Sequence, residues 1–343
     1  NDTHVWSTAY NRELKDIFVI QDEVALQVAD ALKVQFDLGP ISEVDLEAYD
    51  LFLQARALAS TIGTKSLADA ITLYRRALTL DPDYADAWAG LSVALTVQLP
   101  LIKGSDPELS EARQAAETAL NLAPKGWLSH YAMANYLAAF EVGRYLDANR
   151  HFELAMRDNP NDGRMLVDYG LSLWNAGDIG RARVMFKKAY QRDPLSADGM
   201  MANAYALFID GKATQATEFT ERALSIDDRP YLLWFGAVLQ VMNNDIETGV
   251  RLLSRAVAQN PRHLASLYTL AQAFEMLSDP VTADIWLTRA EQIQPHNTQV
   301  IWRRLSNLTS TGDSARYTRI MEEWLARDPD NVFAKRFEGY LYM

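Results

Sequence analysis

The chain has 343 residues, 49% apolar, 23% charged and 10% aromatic, with a formal charge of −12. That apolar share excludes a disordered chain, and the lack of any lysine or arginine run argues against nucleic-acid binding, which needs a basic face to neutralise phosphate. No cysteine is present, which excludes disulfides, thiol catalysis and zinc ribbons but suits a reducing cytoplasm and a periplasm alike.

In chain order, residues 1–40 come first. A short strand is expected near Val5. A helix is expected over residues 16–36, with Ile17, Ile20, Val24, Val28 and Ala31 on one face and Gly39-Pro40 at its end. No apolar run approaches the roughly 18 residues of a membrane helix. The start at Asn1, with no leader sequence, is read as that of a fragment or processed product.

From about residue 45 a ruler appears. Helix stops recur at Pro82, Pro124, Pro160, Pro194, Asp228, Pro261, Pro295 and Pro329, spaced 42, 36, 34, 34, 33, 34 and 34 residues apart. Five residues before the stops stand Ala77, Ala119, Ala155, Ala189, Ala223, Ala256, Ala290 and Trp324; twelve before stand Ala70, Ala112, Ala148, Ala182, Ala216, Gly249, Ala283 and Tyr317. Small residues let helix backbones approach, and proline ends one helix and sets the turn into the next. Within a unit, Gly177-Asp178 marks the turn between two apolar stripes, echoed at Gly211, Asp245 and Gly312. Extra residues sit in the second unit around 98–104 and in the first unit over 60–65, and residues 333–343 read as a closing helix.

A 34-residue helix–turn–helix unit with this order of alanine, aromatic, alanine and proline resembles the tetratricopeptide repeat. The resemblance implies an all-α superhelix, a solenoid of about eight repeats, over residues 41–343. It also implies a protein or peptide partner held on the concave face, no cofactor and no catalytic site in this segment. Residues 1–40, through Val5-Trp6-Ser7, Tyr10-Asn11-Arg12-Glu13-Leu14-Lys15-Asp16-Ile17-Phe18 and Gln21-Asp22-Glu23-Val24-Ala25, resemble the end of the TolB-like domain that precedes such arrays in bacterial regulators. That resemblance implies a larger parent whose effector is a winged-helix DNA-binding domain or, as the alternative, a class III nucleotide cyclase.

Chemistry-bearing motifs are otherwise absent. His4, His130, His151, His263 and His296 form no metal-binding pair on one helix face. Gly211-Lys212-Ala213-Thr214 echoes a phosphate loop but lacks the first glycine, and Asp81-x-Asp83 and Asp328-x-Asp330 lack the rest of a calcium loop. Asn307-Leu308-Thr309 matches a glycosylation triplet. Counting from the stops, the inward positions of the first helices are expected to include Asn135, Met201, Tyr205, Phe235, Leu239, Met242, Tyr268, Gln272 and Trp302. Aromatic and methionine side chains suit a groove because they offer large, adaptable contact area. The lysine and asparagine set of a carboxylate clamp is missing from these positions.

Overall fold

A computed structural model describes residues 45–60, 64–98, 106–140, 144–295, 297–327 and 335. The chain divides into two units, residues 1–46 and 47–343. The expected strand at Val5, the helix over 16–36, the inserted residues 99–104 and the closing helix over 333–343 lie outside the described residues.

The described residues hold sixteen α-helices and no strand. They fall into eight pairs: α1 (Leu46–Ala59) with α2 (Thr64–Leu80), α3 (Ala85–Gln98) with α4 (Asp106–Leu122), and α5 (Trp127–Phe140) with α6 (Tyr145–Asp158). Next come α7 (Gly163–Asn175) with α8 (Ile179–Arg192), α9 (Ala197–Ile209) with α10 (Ala213–Ile226), and α11 (Pro230–Met242) with α12 (Ile246–Gln259). The last are α13 (Leu264–Met276) with α14 (Pro280–Ile293), and α15 (Thr298–Thr311) with α16 (Ser314–Arg327). The eight-unit register read from the sequence is therefore realised helix by helix.

The turns explain the regularity. Asp162, Asp178, Ser196, Asp245, Asp279 and Asn297 each accept a backbone N–H of the following helix's first turn, which satisfies donors that the helix itself leaves open. Between the helices of a pair, one residue takes the left-handed conformation: Gly177 (φ 84°), Gly211 (72°), Asn244 (64°), Ser278 (58°) and Gly312 (73°). The following N–H then reaches back five residues, as in Asp178 to the Leu173 carbonyl and Lys212 to that of Leu207. In the sixth turn Asn244 stands where three others have glycine, and Asp245 follows it as the cap, as Asp178 follows Gly177. The Gly211-Lys212 echo of a phosphate loop is this same turn.

The alanines of the ruler are buried: Ala182, Ala189, Ala216, Ala223, Ala256, Ala283 and Ala290 are at most 3% exposed. At Gly170 a Cβ would lie 2.6 Å from the Phe186 ring, so α7 and α8 approach as closely as they do only because that residue is glycine. Among the described residues, each odd-numbered helix from α3 to α13 packs on its own partner and on the next odd-numbered helix, whereas no even-numbered helix packs comparably on another. The layer whose helices touch one another is the inner, tighter one. First helices thus line the inner face, and the larger apolar cores, such as that around Leu233, Leu253, Leu267 and Val300, sit between the layers. No described helix is long and apolar enough to cross a membrane.

Candidate binding groove

All nine sequence-selected residues lie on odd-numbered helices, but they have different fates. Met201, Tyr205, Phe235 and Leu239 are only 3–4% exposed. Tyr205 is enclosed by Trp174 (ring centroids 5.6 Å), Phe186 (5.4 Å) and Phe235 (5.5 Å), and its hydroxyl donates to the Phe235 carbonyl at 3.2 Å. These four side chains fill the space between adjacent helices, out of direct reach of a ligand. Met242 is 46% exposed at the last residue of α11, on a rim shared with the equivalent Met276. Asn135, Tyr268, Gln272 and Trp302 are half-buried on the inner layer, and Asn135 donates to the Tyr131 carbonyl at 3.1 Å.

Part of the discrepancy is a one-residue slip. The first helices begin at Gly163, Ala197, Pro230, Leu264 and Thr298, so the sixth repeat is a residue short before its helix, not after it. Counting from the helix starts, the residue equivalent to Met201, Tyr268 and Trp302 is Trp234, and Phe235 is its inward-packed neighbour. Trp234 is half-buried and donates its indole N–H to Thr269 Oγ1 at 2.9 Å.

Two constellations emerge on the inner layer. Toward the C-terminal end, Arg303 brings three of the selected residues together. Its guanidinium lies 4.2 Å from the centroid of the Trp302 ring and donates to Gln272 Oε1 at 2.6 Å. Burial pushes the Tyr268 hydroxyl up to about 12, and the Arg303 charge works against that rise. Burial also pulls the Arg303 guanidinium below its ordinary pKa, with Glu275 and Tyr268 opposing. Burial raises the Glu275 carboxyl in turn. Arg303 Nε and Glu275 Oε1 are buried without a hydrogen-bond partner.

The second constellation spans α5 to α11. Asp168 accepts from the Tyr131 hydroxyl at 2.8 Å and from Arg164 Nε at 3.0 Å, and the Arg164 guanidinium lies 5.4 Å from the Tyr231 ring centroid. Arg229 bridges Asp198 (2.5 Å) and Asp227 (2.9 Å). Beside this network lies a cleft of ≈ 290 Å³, walled by Val93, Ala94 and Val97 of α3, Arg164 and Val167 of α7, and Asp193 and Asp198 at the α8–α9 turn. The selection by residue type passed over these charged side chains. The available signal was register: Arg164, Asp198 and Tyr231 are each the second residue of their helix.

The histidines are not all solitary. His130 and His151 meet with their Nδ1 atoms 2.9 Å apart, within the third pair of helices, and burial lowers the pKa of both. Asn307 of the glycosylation triplet is only 1% exposed and sits inside the array.

An array of paired helices with one contiguous inner layer, carrying half-buried aromatic and polar side chains, is a helical-repeat scaffold. Tetratricopeptide repeats match at residues 65–126, 131–194, 168–231 and 237–298, and the chain belongs to that family. The fold is shared with a solved APC/C hetero-tetramer, Cut9–Hcn1 (TM-score 0.54, 16% identity, 92% of this chain and 60% of that one). It is shared also with yeast Tom70 (TM-score 0.50, 15% identity, 96% of this chain and 74% of that one). In sequence, the chain is 33% identical over 156 residues to a protein of Rhizobium meliloti (strain 1021) named "Putative adenylate cyclase 3". That match covers 43% of this chain and only 26% of the relative.

Proposed function

We propose that the array is the docking part of a larger regulatory protein, and that its inner face holds an extended segment of a partner polypeptide. The observation that carries this reading is the grouping of Tyr268, Gln272, Trp302 and Arg303 on consecutive inner helices, each only partly covered. Such sites offer flat aromatic area next to directed donors, the combination found where interfaces concentrate their energy. Trp234 continues the same row onto α11.

Two settings follow for the effector that such docking controls: a winged-helix transcriptional regulator or a class III nucleotide cyclase. The 33% identity to the Rhizobium meliloti protein favours the cyclase setting, with catalysis outside the repeats.

The test begins with selection of binders from a random dodecapeptide library on the intact chain. The change Tyr268→Ala with Trp302→Ala is expected to weaken the selected peptides roughly thirtyfold, since two half-covered rings contribute about 1 kcal/mol each. Helical circular dichroism should be unchanged. A folded variant that binds with wild-type affinity would remove the inner face from the account.

A further inference from the structure

The cleft between α3, α7 and the α8–α9 turn combines apolar walls with the charged side chains of Arg164, Asp193 and Asp198. Val93, Val97 and Val167 present apolar surface, while Asp193 and Asp198 stand at the turn. The charges beside it do not all cancel. Arg164 is held by Asp168, and Asp198 by Arg229, which also serves Asp227. Asp193 is exposed and has no ion pair among the described residues. The local balance is therefore negative, in the same sense as the formal charge of −12 on the whole chain.

The volume, ≈ 290 Å³, lies just below the range of about 300–1,000 Å³ for ligand pockets, so it suits one long side chain rather than a folded element. A lysine or arginine combines the required parts, an aliphatic stem that packs on apolar surface and a cationic head that stays at the wet rim. An acidic side chain would meet Asp193 and Asp198 at the turn and be repelled. One wall is open at Gly163, the first residue of α7, where a Cβ would meet nothing within 4 Å.

We propose that this cleft seats a basic side chain of the partner polypeptide, with its stem against Val93, Val97 and Val167 and its head at Asp193. The proposal rests on the inner-face reading and adds the chemistry of the partner to it. It places a second contact point two repeats or more before the Tyr268–Trp302 group, so an extended partner would be read at both.

The experiment uses the same random dodecapeptide selection on the full chain, repeated on Asp193→Lys, Asp193→Asn and Gly163→Leu. Neither position contributes to the core, and circular dichroism verifies the fold. Peptides enriched on the wild-type chain should carry lysine or arginine flanked by apolar residues. The charge reversal should weaken them about tenfold at low salt, with a smaller loss for Asp193→Asn and less difference at high salt. Gly163→Leu should weaken them by narrowing the cleft. Enriched peptides without basic residues, or affinities untouched by all three substitutions, overturn the cation site while leaving the inner-face reading to stand on Tyr268 and Trp302. No enrichment at all overturns both.

Discussion

Replacing Arg304 by alanine is expected to lower stability by about 2–3 kcal/mol, because its guanidinium is fully buried while its carboxylate partners, 38% and 30% exposed, regain water once it is gone. Arg304 is on α15 and is fully buried. Its Nε and Nη2 donate to the two oxygens of Glu291 at 2.7 and 2.9 Å, Nη2 also donates to Thr288 Oγ1 at 3.0 Å, and Nη1 pairs with Asp284. All three partners are on α14, so one guanidinium ties the seventh repeat to the eighth. Arg316 on α16 pairs with the same Asp284 at 3.2 Å and extends the tie across the last pair. Alanine leaves a cavity beside Asp284 and Glu291 and removes the polar tie between α14 and α15, while Val300 against Ile293 and the Arg316–Asp284 pair remain. Lysine restores the charge but not the fork of donors, and should recover only part of the loss. Urea unfolding followed by tryptophan fluorescence checks this, since Trp302 and Trp324 report on the affected repeats. A change below 1 kcal/mol would show that the cluster is dispensable.

Acid is expected to unfold the C-terminal repeats first, through His263. This side chain is 1% exposed, precedes α13 and shares a 2.7 Å hydrogen bond with Ser266. Burial lowers its pKa to about 4 from an ordinary 6.5. The folded state therefore binds fewer protons than the unfolded state between those values. The stabilising effect is complete above pH 6.5, decreases as the pH falls through that window and is gone below pH 4. Its full extent is about 3 kcal/mol, from about 1.4 kcal/mol per pKa unit. The lowered pKa values of His130 and His151 act in the same direction in the third repeat. His263→Asn keeps a hydrogen-bonding side chain at the helix start and cannot titrate. It should flatten the difference in urea midpoint between pH 7 and pH 4.5 relative to the parent chain. An equal acid loss in both proteins would rule out His263 as its source.

The repeat was legible in the sequence because its signals are local. Alanines at fixed distances from a proline describe one helix pair without reference to any other, and Pro160, Pro194, Pro261 and Pro295 set the register unaided. Where the proline is missing, at Asp227-Asp228, the count slipped by one residue, and Phe235 was taken in place of Trp234. Distinguishing groove from core was harder, because it depends on neighbours from other repeats. Tyr205 and Tyr268 are both tyrosines of first helices at positions counted as inward, yet Trp174, Phe186 and Phe235 close over the first. The second keeps one side toward Arg303. The Arg303-Arg304 pair reads in sequence as a solvated helix face, yet Arg304 is fully buried and Arg303 half-buried, and Arg164 carries no signal of its own for a related reason. A lone arginine in a helix reads as a solvated face until its partners, 4 and 31 residues away, are known.

First helices, and not second helices, are expected to contact the partner. Photo-crosslinking tests this most directly. A peptide from the library selection carrying a benzophenone side chain would be irradiated with the full chain, and the attachment sites located by peptide mass spectrometry. Crosslinks are expected on α9, α11, α13 and α15, concentrated around Trp234, Tyr268 and Trp302. Crosslinks concentrated on the even-numbered helices α10, α12, α14 and α16 would place the partner on the outer layer and contradict that expectation.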